Sequence, residues 1–322
     1  MPWAELSDVR MYYELLGSGE PVLLIPGLGA TCRMWDPVAP ELGEHFSLIM
    51  PDNRNVGKSV GRRKPRNLGD LAADMVDLLD YLQVEKVHVI GISLGGVIAQ
   101  RLAIEHAERI NRLVLISTAH RFGPYLRDVS AMLGRNLHRL PYALFQRSVE
   151  LLGTAPAFYD SHIAEVNQKI ESASTTHGDK DAVTTQLRCL AASEVEAGAF
   201  HISAPTLVLA GEYDALIPNC YARRMADEIP GSRFHILSGC GHNPLVEAPE
   251  VAIPTLIDFL NANTNNPGTE EDIFAIYGNR LQDIGYSASY DRLKGSLKSG
   301  GVSENLGRTA AVKRAGDSKE RL

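Results

Sequence analysis

An α/β fold is expected, with a mostly parallel sheet, helices on both faces and a helical cap inserted into it. Three observations carry this. Short β-rich runs alternate with longer helical periodicity from about residue 10 onward, the pattern of βαβ units. The alternation lapses between about residues 120 and 200, where amphipathic helical stretches recur without a strong strand. It then resumes at "APTLVLAGEYD", and resumed strands need an existing sheet to join.

In chain order, "VRMYYELL" and "PVLLIPG" read as strands, the second ending on glycine. "FSLIMPDNR" is another, closed by Pro51, Asp52 and Asn53. "LGDLAADMVDLLDYLQV" has apolar residues at 71, 75, 76, 78, 79 and 82, a helical stripe with acids on the opposite face. Strand "VHVIGI", helix "GGVIAQRLAIEHAERI" and strand "INRLVLIST" follow. "VSAMLGRNLHRL" and "YALFQRSVELLG" are helical stretches of the cap, divided by glycine, proline and threonine clusters. The βα pattern continues through "YARRMADEIPGSRFHILSGCGH" and closes on the helix "VAIPTLIDFLNA". The expected organisation is a core of residues 1–118 and 203–262, a cap over 119–202, and an extension over 263–322. That extension is rich in Gly, Ser, Asn and charge and is expected to be largely disordered.

The 322 residues suffice for a sizeable core, and 44% hydrophobic with 22% charged residues is ordinary for a soluble globular protein. A net charge of -7 argues against a general nucleic-acid binder, which would show a basic face. No run approaches the ~18 apolar residues of a membrane span. The N-terminus lacks a basic start followed by an apolar segment, so a secretory signal is not expected. Cys32, Cys189, Cys220 and Cys240 are widely spaced, which fits free thiols in a reduced, cytoplasmic setting. Cys240 and His242 stand two apart, but no second pair at ligand spacing accompanies them. No metal or other cofactor is expected.

The segment "VHVIGISLGGVIAQ" carries the chemistry. Gly91-Ile92-Ser93-Leu94-Gly95 fits G-x-S-x-G, after a strand and at the opening of a helix, the context that motif requires. A strand turning abruptly into a helix projects the turn residue outward, and Cβ atoms two positions away would collide. Gly96 lets the helix lie close to the sheet. Ser93 at the helix N-terminus sits where free amides favour negative charge. The alternative is a tight turn with an incidental serine.

A nucleophilic serine needs a base, and the base an orienting acid. "TLVLAGEYDALIP" ends a strand with Asp214 in its loop, and "RFHILSGCGHNP" ends the next with His242 in its own. Both fall at the C-terminal sheet edge, where open α/β folds build their sites. Glu212 is the rival acid; His235, inside a strand, reads as packed or surface. In "LLIPGLGATCRMW" the Gly27-Leu28-Gly29 turn exposes backbone N–H groups, so the Leu28 and Leu94 amides are the expected oxyanion hole. Trp35, His120, Phe122 and Phe145 are candidate substrate contacts. Tyr125, Met132, Leu133 and Phe158 are further candidates, though cap residues of this kind are also ordinary cap core.

Over roughly residues 10 to 262 the chain resembles the α/β-hydrolase superfamily, through the "PGLG" loop, Trp35, "PDNRNVGKS", "GISLGG", "GEYDALIP" and "GCGHNPLVEAPE". The resemblance implies the α/β-hydrolase fold. The order of elements and the short helical cap are similar to 3-oxoadipate enol-lactonases and related small esterases, with "GISLGGVIAQRLAIEHAERINRLVLIST" the strongest part of that match. Two positions depart from the family. Pro26 stands where the oxyanion loop usually carries histidine. Arg54-Asn55-Val56-Gly57-Lys58-Ser59 replaces Arg-Gly-x-Gly-x-Ser, and asparagine is the non-glycine residue best able to take a left-handed conformation. A serine nucleophile argues against haloalkane dehalogenase chemistry, to which the resemblance would give an aspartate. The expectation is a serine hydrolase cleaving a small ester or lactone. A C–C bond hydrolase or a cofactor-free perhydrolase with the same triad stays open, as does a ligand-sensing protein on this fold. The sequence does not indicate an oligomeric state.

Overall fold

The computed structural model describes residues 2–175, 180–191 and 199–262. The extension expected over 263–322 lies outside them, and all described residues fall in one compact unit. Strands β1 (Trp3–Glu5), β2 (Val9–Leu16) and β3 (Glu20–Ile25) open the chain. Helix α1 (Ala39–Gly43) leads to β4 (Phe46–Pro51), the two-residue β5 (Val60–Gly61) and α2 (Leu68–Tyr81). β6 (Val87–Ile92), α3 (Leu94–Glu105) and β7 (Ile110–Ile116) follow. Five helices then precede the next strand: α4 (Pro124–Arg139), α5 (Tyr142–Gly153), α6 (Pro156–Ser161), α7 (Ile163–Thr175) and α8 (Lys180–Ala191). β8 (Thr206–Gly211), α9 (Asn219–Glu228), β9 (Arg233–Leu237), α10 (Pro244–Glu247) and α11 (Pro249–Asn261) complete the order.

The strands form one sheet ordered β1-β2-β4-β3-β6-β7-β8-β9, with β5 paired to β2. β2 runs antiparallel to β1, β4 and β5, and the other pairings are parallel. The expected mostly parallel sheet is therefore present. β1, β5 and α1 are additions, too short to leave a periodic signal.

Side chains in a strand alternate between faces, and here both faces are covered. Leu23, Ile25, Val87, Val89, Leu113, Leu115, Val208 and Ala210 pack with residues of α2, α3 and α9. Val22, Leu24, Ile90, Ile92, Val114, Ile116, Leu207 and Leu209 pack with residues of α1, α11 and the turn at Cys32–Trp35. Burial on both faces explains why these strands read as unbroken apolar runs. α11 tests the balance of forces, since Pro254 lies inside it. An interior proline costs about 3 kcal/mol. Ile253, Leu256, Phe259 and Leu260 are all buried, at about 1.5–3 kcal/mol each, and packing outweighs propensity.

Local backbone chemistry fixes the loops. Asn67 caps α2, its Oδ1 accepting the Asp70 N–H at 3.1 Å. Asn55 adopts φ 62, the left-handed conformation that its amide side chain tolerates, and its Oδ1 accepts the Gly61 N–H at 2.7 Å. Because β3, β6, β7, β8 and β9 run parallel, the loops after Ile25, Ile92, Ile116, Gly211 and Leu237 all leave the same sheet edge.

Beneath that framework Arg54 grips Asp74 through Nε and Nη2, with both side chains 2% exposed. Removing one partner strands the other's charge. Asp74→Ala leaves Arg54 with only Asp8, at 3.7 Å, and should cost about 3–5 kcal/mol in urea unfolding. The apolar pair Arg54→Met with Asp74→Leu should recover most of that loss.

Candidate active site

Ser93 stands between β6 and α3 with φ 56 and ψ -120, a region a residue with a Cβ enters only under strain of about 1–3 kcal/mol. Its surroundings over-determine it. The Ser93 N–H donates to the Ile116 carbonyl at 2.9 Å, and Thr118 Oγ1 donates to the Ser93 carbonyl at 2.8 Å. The Gly96 and Val97 N–H groups close the helix onto the same carbonyl, at 3.0 and 3.3 Å. The glycines are steric necessities: a Cβ on Gly91 would strike the Gly95 carbonyl, and one on Gly95 the Ile25 carbonyl. One on Gly96 would lie 2.6–2.8 Å from the Thr118 side chain.

Asp214, in the loop after β8, is buried. Its Oδ1 accepts the Leu216 and Ile217 N–H groups, both at 2.9 Å, which fixes the carboxylate. Its Oδ2 meets His242 Nδ1 at 2.7 Å, across from the loop after β9. Burial pulls the His242 imidazolium down; the charge and hydrogen bond of Asp214, helped by Glu247, overcome this and raise its pKa above the ordinary value, against Lys169. The rival acid Glu212 is exposed and accepts the Gly239 N–H at 3.0 Å instead. His235 lies within β9.

The Gly27-Leu28-Gly29 turn, the expected oxyanion loop, lies beside the serine: a Cβ on Gly27 would sit 3.4 Å from the Ser93 Cβ. Gly29 takes φ 66 and its N–H donates to Gln186 Oε1 of α8 at 2.8 Å, while Asn53 Nδ2 holds the Pro26 carbonyl at 3.1 Å. Leu94 opens α3, where the first four N–H groups lack intrahelical acceptors. Among the described residues, neither the Leu28 nor the Leu94 N–H has a protein acceptor.

The candidate substrate contacts divide. Phe145 is buried in a cluster with Leu133, Val183 and Leu216, against which Leu28 packs, so it lies at the junction of insertion and oxyanion loop. Trp35 is fully buried with Val38, Leu42 and Phe46 in the cluster carrying α1 and α11, which includes no residue of the insertion. Phe122 is buried with Leu126, Cys189 and Leu190 as seam between insertion and sheet. His120 is buried with Nε2 3.0 Å from Glu228 Oε2, turned toward α9. Tyr125 Oη donates to the Ala215 carbonyl at 3.2 Å, next to Asp214.

Two acidic-loop contacts went unread in the sequence. Glu247 of α10 gathers N–H donors from both sides of the site: Gly241 at 2.8 Å and Ala155 at 2.9 Å on Oε2, and Asn243 at 3.4 Å on Oε1. Burial raises its pKa, the three N–H groups oppose this, and Asp214 adds to the rise. The segment after α5 is also stitched in, the His242 N–H donating to the Gly153 carbonyl and the Ala215 N–H to Leu152 at 3.0 Å. Ser117, at the end of β7, has φ 47. The only available signal was the "VEAPE" acid close after His242. Cys240 is a buried free thiol pushed up to about 12, by burial first and then by neighbouring glutamates. Among the described residues no group of three or more His, Cys, Asp or Glu could hold a metal ion. No described helix is long and apolar enough to cross a membrane.

The arrangement invites comparison with known proteins. The model of the alpha/beta hydrolase fold family matches residues 20–249. A protein of Azorhizobium caulinodans, named provisionally as the carbamate hydrolase RutD, is 27% identical over 259 residues, 80% of this chain and 98% of its own. The structure is similar to the enol-lactonase from Burkholderia xenovorans LB400, with TM-score 0.75 and 25% identity over 81% of this chain and 100% of that one. It is also similar to a thermophilic esterase from Thermogutta terrifontis, with TM-score 0.69 and 25% identity over 80% and 97%. The chain belongs to the alpha/beta hydrolase fold family.

A raised histidine pKa means that protonated His242 stabilises the fold below the ordinary titration range of histidine. That contribution is lost as pH rises through the raised value. NMR titration of His242 should give a midpoint above 6.5. Asp214→Asn should lower it most, and Glu247→Gln should lower it by a smaller step. A midpoint unmoved by either change contradicts the assigned causes.

Proposed function

We propose that this member of the alpha/beta hydrolase fold family is a serine hydrolase that cleaves a small ester or lactone through an acyl-enzyme. The reading is carried by one observation: a buried carboxylate, with two backbone donors on one oxygen, holds His242 through the other. Such a carboxylate has no structural need of a histidine. It fixes the ring with Nδ1 protonated and leaves Nε2 free to accept a proton.

In the proposed cycle Ser93 Oγ attacks the scissile carbonyl carbon and its proton passes to His242 Nε2. The imidazolium forms beside Asp214, whose charge favours it. The carbonyl π electrons move onto oxygen, and the Leu28 and Leu94 N–H groups hold that oxyanion. Collapse breaks the carbonyl–alkoxy bond, and the leaving oxygen takes the proton from His242. In a lactone that alcohol stays attached to the acyl chain. Water, deprotonated by His242, then attacks the acyl-enzyme, and release of the acid restores Ser93. Raising the histidine pKa strengthens Nε2 as a base but confines its neutral, proton-accepting form to higher pH.

A second reading is favoured by the naming of a relative as a carbamate hydrolase. The same attack on a carbamate carbonyl would transfer a carbamoyl group to Ser93 and release the alcohol. Substrate choice would lie in the apolar wall of Leu28, Phe145, Val183 and Leu216.

Ser93→Ala should lower kcat/KM for p-nitrophenyl acetate by something on the order of 10⁶ with unchanged thermal unfolding. The wild-type rate should fall on the acid side with a midpoint above 6.5. A panel of short esters, lactones and carbamates separates the two readings by the ratio of their kcat/KM values. Activity retained in Ser93→Ala would remove the nucleophile from the scheme.

A further inference from the structure

Helix α8 buries Val183, Gln186, Leu187 and Leu190 at i, i+3, i+4 and i+7, together with Ala182, Thr185 and Cys189. Gln186 is 1% exposed. Its Oε1 accepts the Gly29 N–H at 2.8 Å. A backbone N–H can only donate, so the limb of the amide that meets Gly29 is the oxygen. The Nε2 limb shares the same carbon and so also lies at the oxyanion loop. Among the described residues Nε2 has no acceptor.

Buried polar atoms are almost always paired, and an unpaired one calls for an explanation. The neighbours supply none. Leu28, Val183 and Leu187 belong to the apolar cluster that also holds Phe145 and Leu216. That cluster spans the site, because a Cβ on Gly29 would press on Val183 while Leu216 and His242 both flank Gly153. A ligand pocket of this type is an apolar wall with a few placed polar groups that fix orientation.

On the serine-hydrolase reading, we propose that Gln186 is a specificity-determining residue whose Nε2 donates to a second, neutral oxygen acceptor on the substrate. The substrate class is a small ester or lactone bearing a further carbonyl, such as an oxo-ester. A carboxylate is the poorer fit. One neutral amide donor in an apolar wall does not offset the desolvation of a full charge. Lys169, whose charge opposes His242 protonation, is engaged with Glu150 at 2.8 Å. Oε1 meanwhile ties the position of this donor to that of the Leu28 amide, so substrate recognition and oxyanion geometry share one side chain.

The test is a ratio. Wild type, Gln186→Glu and Gln186→Met are assayed at pH 8 on matched p-nitrophenyl esters, one plain acyl chain and one carrying a keto group. A third ester ends in a carboxylate. Glutamate keeps an acceptor for the Gly29 N–H but removes the donor; methionine removes both. Any common loss through the Gly29 contact cancels in the ratio. Wild type should favour the keto ester over the plain one by about tenfold, the worth of one good hydrogen bond, with the difference in KM. Both variants should lose that preference, and thermal unfolding establishes that they fold. A ratio unchanged in the variants, or absent in wild type, overturns the proposal while the serine-hydrolase reading stands. A preference for the carboxylate ester overturns the neutral-acceptor assignment. If wild type hydrolyses none of the three, the underlying reading falls instead.

Discussion

A serine forced to φ 56 between β6 and α3 is the constraint around which the rest of this edge of the sheet is arranged. The strain of about 1–3 kcal/mol is a large share of a typical folding stability of about 5–15 kcal/mol. It persists because the alternatives are blocked. Ser93 is tied by its N–H to Ile116 and by its carbonyl to Thr118, so relaxing it would break the seam between β6 and β7. The two flanking glycines let α3 descend onto that seam without a collision. The same descent brings the first amides of α3, the proposed oxyanion donor Leu94 among them, beside Ser93.

The insertion is less a separate lid than a part of the site. Tyr125 of α4 and Leu152 of α5 grip Ala215 from two sides, next to the acid. Gly153 accepts from the His242 backbone, and Glu247 joins the histidine loop to Ala155. Each of these contacts has a backbone group on at least one side, and they leave room for little else: a Cβ on Gly241 would strike the Gly153 carbonyl. On the other side of the site Gln186 reaches down to Gly29. The loops carrying Asp214, His242 and Gly29 are thus all braced by the inserted helices. The electrostatic consequence is a low-dielectric setting in which Asp214 acts on His242 with little screening.

Much of this was legible in the residues. Strands β3, β6, β7 and β8 announce themselves because burial on both faces makes them continuously apolar, and the mostly parallel sheet follows. Asn55 was readable because the family pattern has glycine there and asparagine tolerates the left-handed conformation. Ser93, Asp214 and His242 stand at strand ends that the sheet order brings to one edge. What stayed hidden depends on contacts between distant segments. Gln186 and Gly29 are separated by 157 positions, and Glu247 and Ala155 by 92. No local pattern encodes such pairs. Trp35 follows the Gly27-Leu28-Gly29 turn closely in the sequence, and the turn at Cys32–Trp35 packs it with Val38, Leu42 and Phe46. Phe122 and His120 likewise adjoin the site in the chain and pack into the sheet and against α9 in space.

The central claim is that Ser93 is a nucleophile activated by the pair beside it. Stoichiometric titration with a fluorophosphonate, followed by peptide mapping, tests this most directly. One label per chain on the peptide containing Ser93, formed far more slowly in Asp214→Asn, is the expected result. Hydrolysis undiminished while Ser93 stays unlabelled, or a label on another serine, would contradict it.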